Sequence, residues 1–270
     1  MSPASASPSY LLDNRHHAAA AHHRALAELL DPWTRQRIRQ RVRLGQIRRC
    51  LEVGTGGGSI VAWLADQISP WGHVVACDLR PAHIADHPRI VTVAHDLQSD
   101  APLPELLGDR FDLVVARLLL GHLPLRRTIL HRLAQLLAPG GVLLVEDWAG
   151  LREEVVIAAP DRRAGELYQR FQDAVAAAFD AAGVDRRWPR QLHAAMLDEG
   201  MVDVETAVHA RYWTGGTAGA RLAGAMIEQL RPRLVTAGMT EAELAELSVR
   251  LDDPRLVVHG HPLYSTAGAR

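Results

Sequence analysis

The chain has 270 residues, a net charge of −1 at pH 7 and 48% apolar residues, a composition typical of globular proteins. All 30 basic residues are arginines, so mechanisms that need a lysine Schiff base, a phosphate-loop lysine or a lysine base are excluded. Cys50 and Cys77 lie in apolar runs, which excludes a disulfide framework, and the first residues lack the pattern of a secretory signal. We therefore expect a cytoplasmic protein with no membrane partner.

The chain begins with helical sequence and continues with strands that alternate with helices. Residues 11–43 are predicted to be helical, with a break at Asp31-Pro32, where a capping residue precedes a proline. From Cys50 onward, short apolar runs alternate with helical stretches, which predicts a parallel sheet covered on both faces. The predicted strands are 50–53, 73–78, 90–94, 111–116, 141–146, 202–212 and 256–264. The predicted helices are 59–68, 81–85, 128–137, 163–182, 189–199, 218–235 and 241–251.

These elements suggest an α/β domain with helical additions. We expect an N-terminal helical extension or lid over residues 1–47 and the α/β domain over 48–270. Helical insertions at about 150–188 and 217–252 are further candidates for a lid over the ligand site. The N-terminal helices also offer a surface through which homo-oligomers could form.

The strongest local signal is a glycine-rich turn between the first predicted strand and the next helix. Residues 52–59 read E-V-G-T-G-G-G-S. Glycines in this context let the backbone approach a ligand, and the N-terminus of the helix faces that ligand. The turn alone is equally compatible with a tight strand-to-helix connection.

Acidic residues stand at the ends of the next two strands. Asp78 ends the second strand, where a carboxylate can accept hydrogen bonds from two ribose hydroxyls. Asp96 follows the third strand, where it suits an exocyclic amine. Because the carboxyl ends of parallel strands meet at one edge of a sheet, both acids and the glycine turn are expected to line one crevice.

Residues 48–148 resemble the class I S-adenosylmethionine-dependent methyltransferases in E-V-G-T-G-G-G, A-C-D-L, H-D-L, F-D-L-V-V-A-R-L-L-L-G-H-L-P and A-P-G-G-V-L-L-V-E-D. The resemblance implies a Rossmann-like, seven-stranded, mostly parallel sheet whose last strand is antiparallel. It also implies S-adenosylmethionine as cofactor and S-adenosylhomocysteine as product. The implied cofactor-binding residues are Glu52, Gly54, Thr55, Gly56, Gly58, Ser59, Asp78, Leu79, Asp96, Leu97, Ala116 and Arg117. Asp78 would hold the ribose diol, and Asp96 would bind the adenine amine.

A nicotinamide-dependent dehydrogenase is the alternative interpretation of the glycine turn. The dinucleotide pattern requires Gly or Ala at its sixth position, where this chain has Ser59. Pyrophosphate binding also leaves the H-D-L and A-P-G-G motifs unexplained. We therefore disfavour an NAD-dependent oxidoreductase.

The arginine-rich N-terminal segment raises the alternative of an RNA or tRNA methyltransferase. Residues 15–49 carry nine arginines against two acidic residues, an excess that can mark a phosphate-binding surface. From residue 35 to 43 the arginines recur at every second position, which distributes them around a helix and forms no stripe. The fourth strand also lacks the Asp/Asn-Pro-Pro-Tyr/Phe patch of many enzymes that methylate nucleic-acid amines. We expect a scaffold segment and no nucleic-acid partner.

Polar and aromatic residues near element ends indicate an acceptor pocket. Its candidate residues are Asp13, Trp148, Tyr168 and Trp213. The motifs Y-L-L-D-N, V-E-D-W and Y-W-T-G-G, with those above, resemble bacterial natural-product methyltransferases, including the teleocidin C-methyltransferase and indole C3-methyltransferases. This resemblance implies an aromatic or indole-containing small-molecule acceptor, with C-methylation, including at indole C3, favoured over N- or O-methylation.

The expected chemistry needs little from the protein beyond alignment. The methyl donor is already activated, so the site must orient acceptor, methyl carbon and sulfur and exclude water. In a chain without lysine, the candidate catalytic residues are Tyr10, His122 and Asp147. The adjacent histidine pairs at 16–17 and 22–23 do not converge on one face of a helix, so we predict no metal.

Overall fold

A seven-stranded sheet is the largest element of the computed structural model, which describes residues 11–12, 15–81, 84–99, 110–150 and 154–270. Three further strands form a small second sheet. In chain order the strands are β1 (Arg49–Val53), β2 (His73–Asp78), β3 (Ile90–Ala94), β4 (Phe111–Arg117), β5 (Leu137–Trp148), β6 (Val156–Ala158), β7 (Val202–His209), β8 (Tyr212–Thr214), β9 (Val257–His259) and β10 (Leu263–Ala269).

The large sheet has the strand order β3-β2-β1-β4-β5-β10-β7. Strands β1 to β5 pair in parallel, and β10 runs antiparallel between β5 and β7. This confirms the predicted mostly parallel sheet with an antiparallel last strand. The middle segments of the central strands are apolar because helices cover both of their faces.

Seven helices accompany the strands in the described residues: α1 (Ala19–Arg41), α2 (Ser59–Gln67), α3 (Arg126–Gln135), α4 (Arg162–Ala181), α5 (Trp188–Asp198), α6 (Ala218–Thr236) and α7 (Glu241–Arg250). The predicted ends of α2 to α7 lie within two residues of the observed ones. The predicted short helix at 81–85 falls partly outside the described residues. No helix in the described ranges is long and apolar enough to cross a membrane.

The predicted break at Asp31-Pro32 is wrong, because helix α1 continues through Pro32. A proline inside a helix removes one backbone hydrogen bond and destabilises that turn. The flanking side chains Asp31 and Thr34 are buried and hydrogen-bonded to other elements, which compensates for the lost bond. Asp31 therefore does not act as a helix cap.

The last two predicted strands were also wrong in extent. The predicted strand 202–212 is divided between β7 and β8, and the predicted strand 256–264 is divided between β9 and the start of β10. Strand β9 pairs with β6 on one side and β8 on the other in the three-stranded sheet, so the last strand of the large sheet lies at Leu263–Ala269. Pro262 lacks an N–H group and separates β9 from β10.

The described chain divides into two compact units. The first contains the large sheet and takes in residues 26–151, 185–211 and 261–270. The second takes in the described parts of 1–25, 152–184 and 212–260, with the three-stranded sheet and helices α4, α6 and α7. The lid role of residues 1–47 and of the two insertions stays a prediction.

The core of the first unit has two layers, one on each face of the large sheet. One layer joins strand residues such as Val114 to α3 and α5, where Trp188 is almost fully buried. The other joins strand residues such as Leu113 to α1 and α2, through Ile38 and Leu64. Neighbouring residues of one strand thus pack into the core layers on opposite faces of the sheet, because side chains alternate between the two faces along a strand. The packed core on both faces thereby positions the ends of the strands.

Candidate active site

The glycine-rich turn joins β1 to α2 and adopts a backbone conformation that favours glycine. Gly54, Gly56 and Gly58 have φ angles of 67°, 50° and 73°, in the left-handed region. A Cβ atom on Gly54 would lie 2.8 Å from Cδ2 of Leu119. The Gly54 amide donates to the Cys77 carbonyl at 2.8 Å, which fixes the turn against β2. The turn therefore requires glycine at position 54, both for its backbone angle and for the close approach of Leu119.

Asp78 lies beside this turn at the end of β2. One carboxylate oxygen accepts from the Arg80 amide at 2.9 Å, and the other accepts from the Gly56 amide at 3.4 Å. The side chain is only partly buried. A half-buried carboxylate next to a glycine turn can accept hydrogen bonds from a ligand hydroxyl, as the sequence indicated.

Asp96 and Leu97 follow β3, the neighbour of β2. Asp78 pairs in register with Ala94, so Asp96 comes two residues beyond that pair. The Asp96 carboxylate accepts from the Gln98 amide at 2.9 Å, and Leu97 packs on the hydrophobic core. Leu79, the residue after Asp78, is 57% exposed. The ends of β2 and β3 thus combine carboxylates with apolar side chains, a combination suited to a nucleoside.

A buried polar cluster lies at the ends of β1, β4 and β5. Glu52 is 2% exposed, and burial raises its pKa to about 8, opposed by the charge of Arg117. Arg117 donates to Asp31 at 2.9 Å and to the Thr34 hydroxyl at 3.1 Å. Thr34 donates to Glu146 at 2.5 Å, and burial raises the pKa of Glu146. Ala116, the residue before Arg117, is fully buried in the core.

Three members of this cluster were missed by sequence reasoning: Asp31, Thr34 and Glu146. The only available signal was Glu146 itself, since a carboxylate at the end of an apolar strand requires buried partners. Asp31 carried a signal for a helix cap, and Thr34 carried none. Their partners are distant in sequence, 86 residues separating Asp31 from Arg117.

Two of the three predicted catalytic residues lie close together, Asp147 near the end of β5 and His122 in the turn that follows β4. Asp147 is 3% exposed and accepts from the Gly121 amide at 3.2 Å. Burial raises the pKa of Asp147 to about 7, while hydrogen bonds from the amides of Gly121 and Leu119 oppose the rise. His122 ends the same 3₁₀ turn, Leu120–His122, and is partly buried. Burial, with help from the charge of Arg126, lowers the pKa of His122 to about 4. Asp147 thus holds the turn that carries a neutral histidine.

An aromatic pair lies at the end of β5. The rings of Trp148 and His261 are 5.5 Å apart between centroids, at an interplanar angle of 39°. Burial and the charge of Arg186 lower the pKa of His261 to about 4, so this ring is neutral above that pH. His261 was missed by sequence reasoning because its pairing with Trp148 depends on the antiparallel register of β10 against β5.

The other predicted pocket residues are placed differently. Tyr168 is 1% exposed, packs edge-to-face on Phe171, and its hydroxyl accepts from the side-chain amide of Gln172 at 3.2 Å. Trp213 is 8% exposed and packs tightly against Gly219. Both are core side chains of the second unit, and a role in an acceptor pocket stays a prediction. Tyr10 and Asp13 lie outside the described residues.

Residues 11–201 match a family described as a methyltransferase domain. Methyltransferase str3 of Strobilurus tenacellus is 35% identical over 148 residues, which are 54% of this chain and 50% of that protein. Methyltransferase str2 of the same organism is 37% identical over 112 residues, which are 40% of this chain and 39% of that protein. The matches thus span half or less of the length of these relatives.

Solved structures share the fold at low sequence identity. Phosphoethanolamine N-methyltransferase 2 of Haemonchus contortus, in complex with S-adenosyl-L-methionine, has a TM-score of 0.58 at 14% identity. That match covers 100% of this chain and 61% of the other. The YcgJ protein of Bacillus subtilis has a TM-score of 0.52 at 13% identity. That match covers 92% of this chain and 99% of the other.

The described residues fit S-adenosylmethionine. The left-handed glycines open the turn, and Asp78 stands beside it. Oε2 of Glu52 has no hydrogen-bond partner among the described residues, so this buried carboxyl group can still bond to a polar group of the cofactor. When bound, the cofactor supplies a methyl group on a sulfonium, which is already activated for transfer. Since a family match over residues 11–201 agrees with this fold and this site, the chain belongs to the methyltransferase-domain family.

Proposed function

We propose that this enzyme methylates a carbon atom of an aromatic, indole-containing small molecule, as in natural-product biosynthesis. The observation that supports this acceptor class is the Trp148–His261 pair at the end of β5. Both rings are partly buried, and His261 is uncharged near neutral pH because burial lowers its pKa to about 4. A neutral aromatic wall favours stacking with a flat aromatic acceptor.

The cofactor is proposed to lie along the ends of β1 to β4. The turn from Glu52 to Ser59 would hold its methionine part, Asp78 the ribose hydroxyls, and Asp96 with Leu97 the adenine. Asp31 and Thr34 hold the side chain of Arg117 at the end of β4. The support for these roles is the shared edge of the parallel strands, where the register places Val53 opposite Cys77 and Asp78 opposite Ala94.

The acceptor carbon attacks the methyl carbon in line, and the carbon–sulfur bond breaks with its electron pair left on sulfur. An electron-rich indole carbon attacks without prior loss of a proton, so the protein mainly aligns the reacting atoms. One proton must leave the ring system afterwards. His122 is neutral above about pH 4 and accepts this proton in our proposal, while Asp147 fixes the turn that carries His122.

An RNA or tRNA acceptor is less well supported. Several arginines of α1 already pair with acidic side chains: Arg37 and Arg41 with Glu205, and Arg35 with Asp31. Arg37 is 2% exposed. These ion pairs hold the helix in place, and the buried Arg37 is not accessible to a phosphate backbone.

The experiment is methyl transfer from labelled S-adenosylmethionine to indoles, phenols and bulk tRNA, with the methylated atom identified by NMR. We expect label on an indole carbon. Label on tRNA would reverse the acceptor assignment, and label confined to oxygen or nitrogen would contradict C-methylation. His122→Asn should lower turnover by about 100-fold. His131→Asn is the matched control, because His131 is an exposed histidine on α3.

A further inference from the structure

We propose that Asp31 is a positioning residue that couples helix α1 to the cofactor site, given the cofactor location proposed above. Sequence reasoning assigned Asp31 to a helix cap, and the observed structure gives it no such role. Its contacts instead reach two elements that flank the proposed cofactor. The coupling would make the first helix part of the binding machinery.

A single carboxylate oxygen of Asp31 joins the two flanking elements. Oδ1 accepts from the Ser59 hydroxyl at 3.1 Å and from Nη1 of Arg117 at 2.9 Å. Ser59 is the first residue of α2, directly after the glycine turn, and Arg117 is the last residue of β4. The bridge therefore links the helix start that follows the glycine turn to the end of β4.

The bridge is buried, which makes it energetically significant. Asp31 is 5% exposed, and the side chain of Arg117 is 12% exposed. An ion pair in such an environment is screened little, and removal of one partner leaves the other charge uncompensated. Oδ2 of Asp31 accepts from Arg35 at 3.0 Å, one turn further along α1, which fixes the orientation of the carboxylate.

A second residue of α1, Thr34, also contacts the ends of β4 and β5. Thr34 receives a hydrogen bond from Arg117 and donates one to Glu146 at the end of β5. Without Asp31, Arg117 would keep Thr34 as its described partner, and Ser59 would lose its acceptor. The glycine turn and the end of β4 would then sample more conformations, so the binding-competent one would be less populated and the apparent affinity lower.

The test is calorimetric titration of S-adenosylhomocysteine into the wild-type enzyme and into Asp31→Ala, Asp31→Asn and Glu205→Gln variants. We expect Asp31→Ala to weaken binding about tenfold. Asp31→Asn should be intermediate, because asparagine keeps an acceptor oxygen but loses the charge. An Asp31→Ala affinity within about twofold of wild type would overturn the coupling.

Glu205→Gln is the matched control. Glu205 pairs with Arg37 and Arg41, so it ties the same helix to β7 without touching the glycine turn or Arg117. We expect its affinity to stay within about twofold of wild type. Equal weakening in both variants would mean that α1 acts only through its general packing, and that outcome would also overturn the coupling.

A second measurement does not depend on how the variants fold. Hydrogen exchange of the wild-type enzyme should slow at the amides of residues 30–38 when S-adenosylhomocysteine binds. If the glycine turn is protected while exchange in α1 is unchanged, the coupling through Asp31 is contradicted and the cofactor location is not. Failure of the wild-type enzyme to bind S-adenosylhomocysteine would instead overturn the cofactor location, and the coupling with it.

Discussion

Glu52 shows how burial of one side chain changes the pH dependence of the fold. Burial raises the pKa of Glu52 from 4.5 to about 8. The folded state therefore binds a proton that the unfolded state releases between those values, and the free energy of unfolding falls as pH rises through this window. We expect Glu52→Gln to flatten this fall between about pH 7 and 8 in thermal unfolding of the cofactor-free enzyme.

The upper part of this window separates Glu52 from Asp147 and His122. Burial raises the pKa of Asp147 only to about 7, and the lowered pKa of His122, about 4, gives stability that increases with pH below neutrality. Glu166→Gln is the control, because Glu166 is a half-exposed acid on α4. Equal pH slopes for wild type and Glu52→Gln would contradict the buried-carboxyl interpretation.

Gly54 is the residue at which backbone conformation and packing act together. Gly54→Ala would place a Cβ at a left-handed φ and 2.8 Å from Leu119. Gly140→Ala has a similar φ of 76°, but a Cβ there has no atom within 4 Å. We expect Gly140→Ala to cost about 1 kcal/mol and Gly54→Ala about 1 kcal/mol more, measured by denaturant unfolding. Equal losses would show that Leu119 moves aside without cost.

At the scale of elements, helix α1 is held to the large sheet by buried polar contacts as well as apolar packing. Thr34 is fully buried, and its hydroxyl donates to Glu146. Thr34→Val keeps the shape of the side chain but removes this donor, so a buried carboxylate loses a partner. We expect a loss of about 1 to 3 kcal/mol in the free energy of unfolding.

Thr236→Val provides the comparison for this change. Thr236 is exposed on α6, and its hydroxyl donates to the Pro232 carbonyl of the same helix. The same substitution there should cost less than about 0.5 kcal/mol. If both variants lose equal stability, the cost comes from the helix propensity of valine and not from the contact with Glu146.

At the scale of the whole molecule, cofactor binding should stabilise the folded state by mass action. With S-adenosylhomocysteine at 100 times its Kd, the expected gain is about 2.7 kcal/mol, visible as a higher Tm. Asp78→Ala should lose most of this gain at the same ligand concentration, because it removes the proposed ribose contact. Asp173→Ala on α4 is the control, and loss of the gain there as well would point to a general effect of removing an acidic residue.

The sequence alone determined the class of fold, the cofactor and the approximate bounds of most helices. The class of fold and the helix bounds depend on patterns within a few residues, such as apolar runs alternating with amphipathic stretches, and the cofactor was implied by the resemblance of residues 48–148 to class I methyltransferases. The glycine turn and Asp78 are recognisable for that reason. Their mutual geometry also follows, since neighbouring parallel strands end at one edge of the sheet.

Only the tertiary structure decided which distant residues meet. The continuation of α1 through Pro32 depends on Asp31 and Thr34, whose partners lie 28 to 112 residues away. The division of the late strands between two sheets depends on pairing, because each run is a plausible strand by itself. The neutral state of His122 near physiological pH and the raised pKa values of Glu52 and Asp147 arise from burial. Burial is a property of the packed chain, so no local pattern encodes it.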